Sequence, residues 1–447
     1  MDGLPTPRRY LAILSVALGT ALSVIDGTIV NVALPSLARD LRITPSMAVL
    51  VVTVYQLTLV TTLLPLSALG QRIGLKRLYQ TGQLVFVVAS VLCFFARSLP
   101  FLLVVRVAQG LGAAATLCVA SALIRAIYPG RWLGRGLSVN TLVVSTSAVI
   151  SPTLGGLIIS FASWPWLFAA AVPLGVFSLL LGRGSLPEVP RETEPYDVFG
   201  AVLCALTFGL LVGGLESLVH GDSPVIAAAI VAVGISVAVV FVRREVRSEL
   251  PILPVDLLGQ PLLALSVLGA FLAFIGSMGF MLSLPFRLQQ GYGFAPGEVG
   301  AMIMPWPAAM MIVSPLAGLL SDRYPAGILG AIGMTIAVTG FILMAMLPPQ
   351  ATHFAIVWRM VLCGVGYGLY LSPNARLIVS SAPVARAASA SGLISTNRLL
   401  GQTLGATVLA ALLDMGHGAD RVPAIIAAVL AGAAAICSMA RIRHQSR

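Results

Sequence analysis

Fourteen stretches of mostly apolar residues, laid end to end with short polar breaks, leave this 447-residue chain few ways to fold. A helix needs about 20 such residues to cross the hydrocarbon core of a bilayer. The stretches lie near 11–34, 46–69, 78–97, 100–124, 136–160, 165–182, 198–218, 223–242, 261–285, 297–320, 326–347, 354–375, 388–413 and 422–440. The breaks carry turn and charge signals, among them Arg72-Ile-Gly74-Leu-Lys76-Arg77, Tyr128-Pro-Gly-Arg131 and Pro187-Glu-Val-Pro-Arg191. All connections are short, so no soluble domain is inserted and no active site outside the membrane has room. The expectation is an all-α membrane protein of about fourteen helices.

Composition agrees. Hydrophobic residues make up 58% of the chain and charged residues 10%, against roughly a quarter in a soluble domain. A net charge of +11 raises nucleic acid as a partner, but the basic residues fall in small groups between apolar runs rather than on one face. With both termini in the cytoplasm, roughly 19 of the 27 Lys and Arg residues lie inside, about five outside and three within helices. Arg125/Arg131/Arg135, Arg243/Arg244/Arg247 and Arg441/Arg443 all land on the cytoplasmic side in that arrangement. The first apolar run continues past a signal-peptide core without a small-residue cleavage site, and so reads as a retained helix. The five cysteines sit inside apolar runs without metal-ligand spacing, and neither a disulfide, a metal nor a cofactor is expected.

Two weak repeats divide the chain. Arg106 opens the fourth stretch and is followed by Gly110 and Gly112; Arg359 opens the twelfth and is followed by Gly364, Gly366 and Gly368. The loop after the second stretch has Arg72, Gly74, Lys76 and Arg77, and the loop after the tenth has Gly318, Asp322 and Arg323. With the seventh and eighth stretches set aside, these features hold matching places in two six-helix halves, as in transporters built from internal repeats. The divisions expected are 1–182 for one bundle, 183–260 for a linker with two extra helices, and 261–447 for the second bundle.

At these motifs the chain resembles the major facilitator superfamily, and within it the fourteen-span drug:proton antiporter group. Asp26-Gly-Thr-Ile-Val-Asn-Val-Ala-Leu-Pro35 looks like that group's first-helix motif, Arg106-Val-Ala-Gln109-Gly110 like its fourth-helix motif, and Ser151-Pro152-Thr-Leu-Gly155-Gly156 like its fifth-helix antiporter motif. Asp197-Val-Phe-Gly200, Pro251-Ile-Leu-Pro254 and Leu288-Gln-Gln-Gly-Tyr292 stand where the group has related segments. The chain departs from the pattern at Gln71, where an acid is usual, at Ser67 and Ser151, where glycine is usual, and at Pro165, where arginine is common. The resemblance implies a cytoplasmic gate built on Gln71, Arg72, Gly74, Lys76, Arg77, Asp322 and Arg323, weakened at Gln71.

Charges inside the membrane cost about 2.5–3.5 kcal/mol even on insertion scales and mark function by default. Asp26, Arg106, Arg359 and Arg398 qualify. At about 1.5 Å per residue, Asp26 in the rising first helix and Arg106 in the descending fourth reach nearly one depth. They either form a proton-exchanging couple or a fixed structural pair, or Asp26 touches substrate directly. Gln109 lies one turn from Arg106 and either orients it or contacts substrate. Ser391, Ser395, Arg398 and Gln402 share one helical face that either lines a cavity or bonds to neighbouring helices. Ser147, Ser151 and Gly155, with Pro152 and Gly156, form a small-residue stripe for close helix approach, as do Gly401 and Gly405. A group of Met and aromatic residues (Phe271, Phe274, Phe280, Met281, Phe286, Met302, Met304, Trp306, Met310 and Met311) suits either an adaptable pocket or core and lipid packing. His220, His353, His417 and His444 fall in loops or near the C-terminus, so no histidine relay is expected.

The function expected is proton-coupled efflux of small amphipathic or cationic organic compounds by a monomer in the bacterial inner membrane. Its substrate-cavity residues are Gln109, Arg359, Ser395, Arg398, Gln402, Met304 and Trp306, and its coupling residues Asp26 and Arg106. The alternatives are a proton-linked importer or a metabolite exporter on the same scaffold. A membrane enzyme would need clustered His, Cys or acidic residues within the helices, and a sensor would need a soluble domain.

Overall fold

The computed structural model describes residues 3–129, 132–190, 197–221, 223–247, 253–381 and 387–445. Gly130, Arg131, Arg191, Pro251 and Ile252 of the motifs above lie outside them. Every described element is helical, because a backbone in hydrocarbon must satisfy its own donors and acceptors. The long helices are α1 (Arg8–Leu41), α2 (Pro45–Ile73), α3 (Leu75–Phe94), α4 (Leu99–Ile127), α5 (Leu133–Phe161), α6 (Trp166–Ser185) and α7 (Val198–Val219). They continue with α8 (Pro224–Glu245), α9 (Pro261–Gly291), α10 (Pro296–Leu320), α11 (Ala326–Ala345), α12 (His353–Ser381), α13 (Ala387–Asp414) and α14 (Val422–Gln445).

Thirteen of these are long and apolar enough to cross a membrane. The exception is α13, whose 28 residues would reach about 42 Å but whose Asn397, Arg398 and Gln402 dilute its apolar content. It packs along α9 and α2 like a span. Local chemistry places the ends. Thr44 caps α2 by accepting from the Met47 amide, with Pro45 at the first helical position, where its missing N–H costs nothing. Gly74, at φ +102°, makes the turn into α3 that a side chain would oppose. Where one continuous tenth helix was expected, α10 breaks between Ile303 and Pro305. α1 likewise runs beyond the expected residue 34, through a tight turn at Val30–Ala33 into Leu34–Leu41.

The chain start lies at the end of α4, where the Leu4 amide donates to the Ile127 carbonyl, and Arg8 reaches the Ser185 carbonyl at the end of α6. We refer to this side as the terminal face and to the other as the distal face. Arg441 does not sit in a surface loop as its place near the chain end suggested. α14 continues past it, and its guanidinium is fully buried among Asn374, Ser266 and Ser438.

The helices form two bundles with α7 and α8 as an extra hairpin packed on each other and, through α7, on α2 and α13. Small residues set the closest approaches. A Cβ at Gly155 would come within 2.7 Å of the Ile29 carbonyl oxygen, and one at Gly156 within 2.6 Å of the Pro296 carbonyl oxygen. Thus α5 packs on α1 with one side and on α10, across the seam, with the other. Gly401 and Gly405 fit against Phe274 and Ile275 of α9 inside the second bundle. Toward the distal face the seam is closed and dry: Ile29, Leu34 and Val52 share a buried cluster with Met278, Leu282, Phe286 and Leu409. Gln289 also crosses it, donating to the Val32 carbonyl at 3.0 Å. Toward the terminal face, past Thr146 Oγ1 and Met311 Sδ at 4.0 Å, Leu142 of α5 and Ile312, Leu316 and Leu319 of α10 are exposed.

Candidate functional site

Within the first bundle, the backbone rise that places Asp26 and Arg106 at one depth also turns them toward each other. Arg106 Nη1 stands 2.6 Å from Asp26 Oδ2. Gln109, three residues along α4, accepts from the same Nη1 at 2.7 Å and donates through Nε2 to Asp26 Oδ1 at 2.9 Å and to Ser90 Oγ at 3.0 Å. Arg106 Nε donates to the Val51 carbonyl at 3.1 Å, and its guanidinium lies over the Tyr55 ring at 4.3 Å. Asp26 is 3% and Arg106 1% exposed, so the pair is sealed from both water and the seam. Both carboxylate oxygens are filled and the cation is stacked, which is the condition for a buried ion pair to offset the loss of hydration. Removing either charge leaves the other stranded. Gln109 is therefore part of the pair and does not line the cavity where it was expected.

Two residues beyond Asp26, α1 reaches the seam. There a cavity of about 170 Å³ is bounded by Thr28, Asn31 and Val32 of α1, Pro152 of α5, Phe274, Ser277, Met278 and Met281 of α9, Trp306 and Met310 of α10, Tyr367 of α12 and Gln402 of α13. Polar groups on an apolar, aromatic wall suit a small organic ligand. Of the expected cavity residues, Trp306 and Gln402 line it. Trp306 packs against Tyr367 with ring centroids 5.0 Å apart. Met304 marks the break in α10 instead, and Phe280, Phe286 and Met302 belong to the core. Ser395 is half-buried and donates to the Ser391 carbonyl within its own helix. Arg398 shares the face of Gln402 one turn closer to the terminal face; it is accessible to water yet surrounded by protein, as in a cleft. Arg359 is elsewhere: it donates to the Leu343 and Ala355 carbonyls and stacks on Trp358 at 4.5 Å, away from the cavity. Depth along the sequence located it in the membrane but gave no azimuth.

The loop residues lie at the terminal face. Gln71 and Arg77 are exposed, Arg72 is half-buried, and Lys76 Nζ lies 4.0 Å from Glu188 after α6. Asp322 pairs with Arg376 at the end of α12 inside its own bundle, and Arg323 is exposed.

Sequence reasoning missed one ionisable cluster. Glu216 of α7 is buried between α2 and α13, with His220 beside it. It lies two residues from the end of the seventh stretch, and the signal available was an acid interrupting an otherwise apolar run. Among the described residues no group of His, Cys, Asp and Glu is arranged to hold a metal ion.

Known proteins agree with this architecture. The sequence pattern of the Major Facilitator Superfamily matches residues 16–406. The chain is 44% identical to the uncharacterized transporter YebQ of Escherichia coli (strain K12), over 99% of this chain and 97% of that protein. It is 27% identical to the riboflavin transporter RibZ of Clostridioides difficile (strain 630), over 89% and 87%, and 30% identical to the multidrug resistance protein Stp of Mycobacterium tuberculosis, over 91% and 76%. Among solved structures, a bacterial homologue of the human lysosomal transporter Spinster, inward-facing and unoccupied, superposes with a TM-score of 0.70 at 17% identity, over 98% of both chains, a likeness of fold alone. The chain belongs to the major facilitator superfamily: it is a multi-pass membrane transporter and not an enzyme.

Proposed function

We propose that this transporter is a monomeric proton-driven antiporter of the bacterial inner membrane that exports small amphipathic organic molecules. Residues 1–182 and 261–447 are its two moving bundles, 183–260 its linker, and both termini are cytoplasmic. The observation that carries the reading is the sealed Asp26–Arg106–Gln109 couple, two residues from the cavity wall on the same helix. Protonating Asp26 would release Arg106 and Gln109 from its oxygens, and α1 would carry that change to Thr28 and Asn31 at the seam. An intramembrane acid paired in this way is a functional group by default. In this reading the distal closure of the seam would persist in the cytoplasm-open half of the cycle, with the bundles parting at the terminal face.

A second reading, a metabolite exporter or importer, is favoured by the charge of the cleft. Among the described residues no acid lines the cavity, and Arg398 lies one turn from its Gln402 on the same face of α13, which suits a substrate bearing a carboxylate or phosphate. The relatives include both a riboflavin transporter and a multidrug resistance protein. Everted vesicles given an imposed pH gradient and either ethidium or fluorescein separate the readings. Gradient-driven uptake of ethidium supports drug export, uptake of fluorescein alone supports an organic-anion substrate, and movement unaffected by collapsing the gradient contradicts proton coupling.

A further inference from the structure

Apart from the Asp26 couple, one acid is buried where three parts of the fold meet. Glu216 of α7 has a side chain only 11% exposed, and Thr407 of α13 donates a hydrogen bond to its Oε1. Thr53 of α2 lies beside the same carboxylate, its hydroxyl donating to the Val49 carbonyl of its own helix. His220, one turn on, places Nδ1 at 3.5 Å from Oε2 and 2.9 Å from the Glu216 carbonyl. One carboxylate of the extra hairpin is thus hydrogen-bonded to a helix of the second bundle and packed against one of the first.

The surroundings differ from those of Asp26 in a telling way. No Lys or Arg among the described residues pairs with Glu216, and Oε2 and His220 Nε2 are both buried without a hydrogen-bond partner. α8, packed along α7, carries its described charges, Arg243, Arg244 and Glu245, at the terminal end. The one charged residue of α2 is Arg72, also at that end, and Arg398 and Asp414 of α13 stand about two turns or more from Thr407. Among the described residues of these helices, His220 is therefore the one titratable group beside the acid. The Thr407 hydroxyl also has a second acceptor in its own helix, the Thr403 carbonyl at 3.2 Å, while the Thr53 hydroxyl donates to the Val49 carbonyl at 3.3 Å. The site thus offers a carboxylate one hydroxyl donor, at Oε1, and can accept from a neutral carboxyl, whose O–H would donate to the Thr407 hydroxyl as that turns back to its helix.

We propose that Glu216 is a second proton-binding site of the transporter, loaded through His220 from the distal face, and that loading it reverses the hydrogen bond tying α7 to α13. His220 Nδ1 carries hydrogen because a carbonyl faces it. A proton arriving at Nε2 lets the Nδ1 proton pass to Oε2, leaving a neutral imidazole of the other tautomer and a neutral carboxyl. Val51, whose carbonyl holds Arg106, is two residues from Thr53, so α2 stands between the two acids and touches both clusters.

This inference rests on the proton-coupled reading, and its test needs only protons as ligand. The full chain in nanodiscs is titrated by infrared spectroscopy, following protonated-carboxyl bands in the wild type and in E216Q, D26N and T407V. E216Q is expected to lose one titrating carboxyl signal entirely, and T407V, which keeps the acid, to shift the midpoint of that signal. A wild-type set of signals in E216Q overturns the inference, as does a midpoint in wild type that depends on sodium rather than potassium. Loss of a signal in D26N alone leaves the proton-coupled reading standing and removes this one, whereas no titrating signal in any of the four proteins removes both.

Discussion

At the scale of single residues, the account turns on charges that the membrane does not tolerate unpaired. Asp26 and Arg106 were legible in the sequence because a helix rises by a fixed amount per residue, so position along two spans gives relative depth. Gln109 was legible as a neighbour of Arg106, but its choice of the ion pair over the cavity depends on azimuth, which depth does not give. The same gap misplaced Arg359. Glu216 escaped notice because it sits near a span end, where an acid looks solvated. Replacing Arg106 by Ala should strand a buried carboxylate at a cost of about 3–5 kcal/mol, whereas Lys, which keeps the charge without the forked geometry, should cost less. Thermal unfolding in detergent across the three proteins checks this, and equal losses for Ala and Lys would mean that the guanidinium's charge is not what holds the site.

Among whole elements, apolar length identified the spans, and short connections excluded any soluble insertion. What the pattern missed was chemical punctuation: Pro305 splits α10, and the polar face of α13 lowers its hydropathy because that face meets a cleft rather than lipid. The extra hairpin shows how a motif fragment becomes a structural device. Asp197 accepts from the Gly200 amide at 2.9 Å as the cap of α7, and Arg244 at the end of α8 grips both its oxygens at 2.6 and 2.7 Å. The hydrogen bonds from Arg244 hold the Asp197 carboxyl below its ordinary range. A carboxyl depressed by folding stabilises above its unfolded range, and that contribution is lost as pH falls through the folded value. Asp197→Ala should cost about 1 kcal/mol near neutral pH, chiefly through the lost cap, since the ion pair is partly exposed and screened by salt. The difference from wild type should shrink on acidification. A thermal-shift series against pH measures it; a gap that widens in acid would contradict the assignment.

The whole molecule is two bundles whose seam is sealed by backbone contact at Gly156 and by apolar packing distally. The small-residue stripe of α5 was visible in the sequence, but not that its two sides serve different bundles, since a one-dimensional pattern names a face without naming its partner. Gating belongs to this scale. Asp322 is bound to Arg376 within the second bundle, Lys76 lies near Glu188 just after α6, and Gln71 is exposed. In the state closed at the terminal face, an acid at position 71 would face the positive end of a neighbouring helix, so Gln71→Asp should favour that state by about 1 kcal/mol. Asp322→Asn should shift the populations the opposite way. Spin-label distances between the loops after α2 and α10 report both, and unchanged distributions would reduce these loops to topological signals. The central claim, that Asp26 couples a proton gradient to alternation of the bundles, is tested most directly by comparing two transport modes of one variant in proteoliposomes. Asp26→Asn should exchange substrate across the membrane at equilibrium, yet fail to accumulate it against its gradient when a pH difference is imposed. Accumulation at the wild-type level would contradict the account.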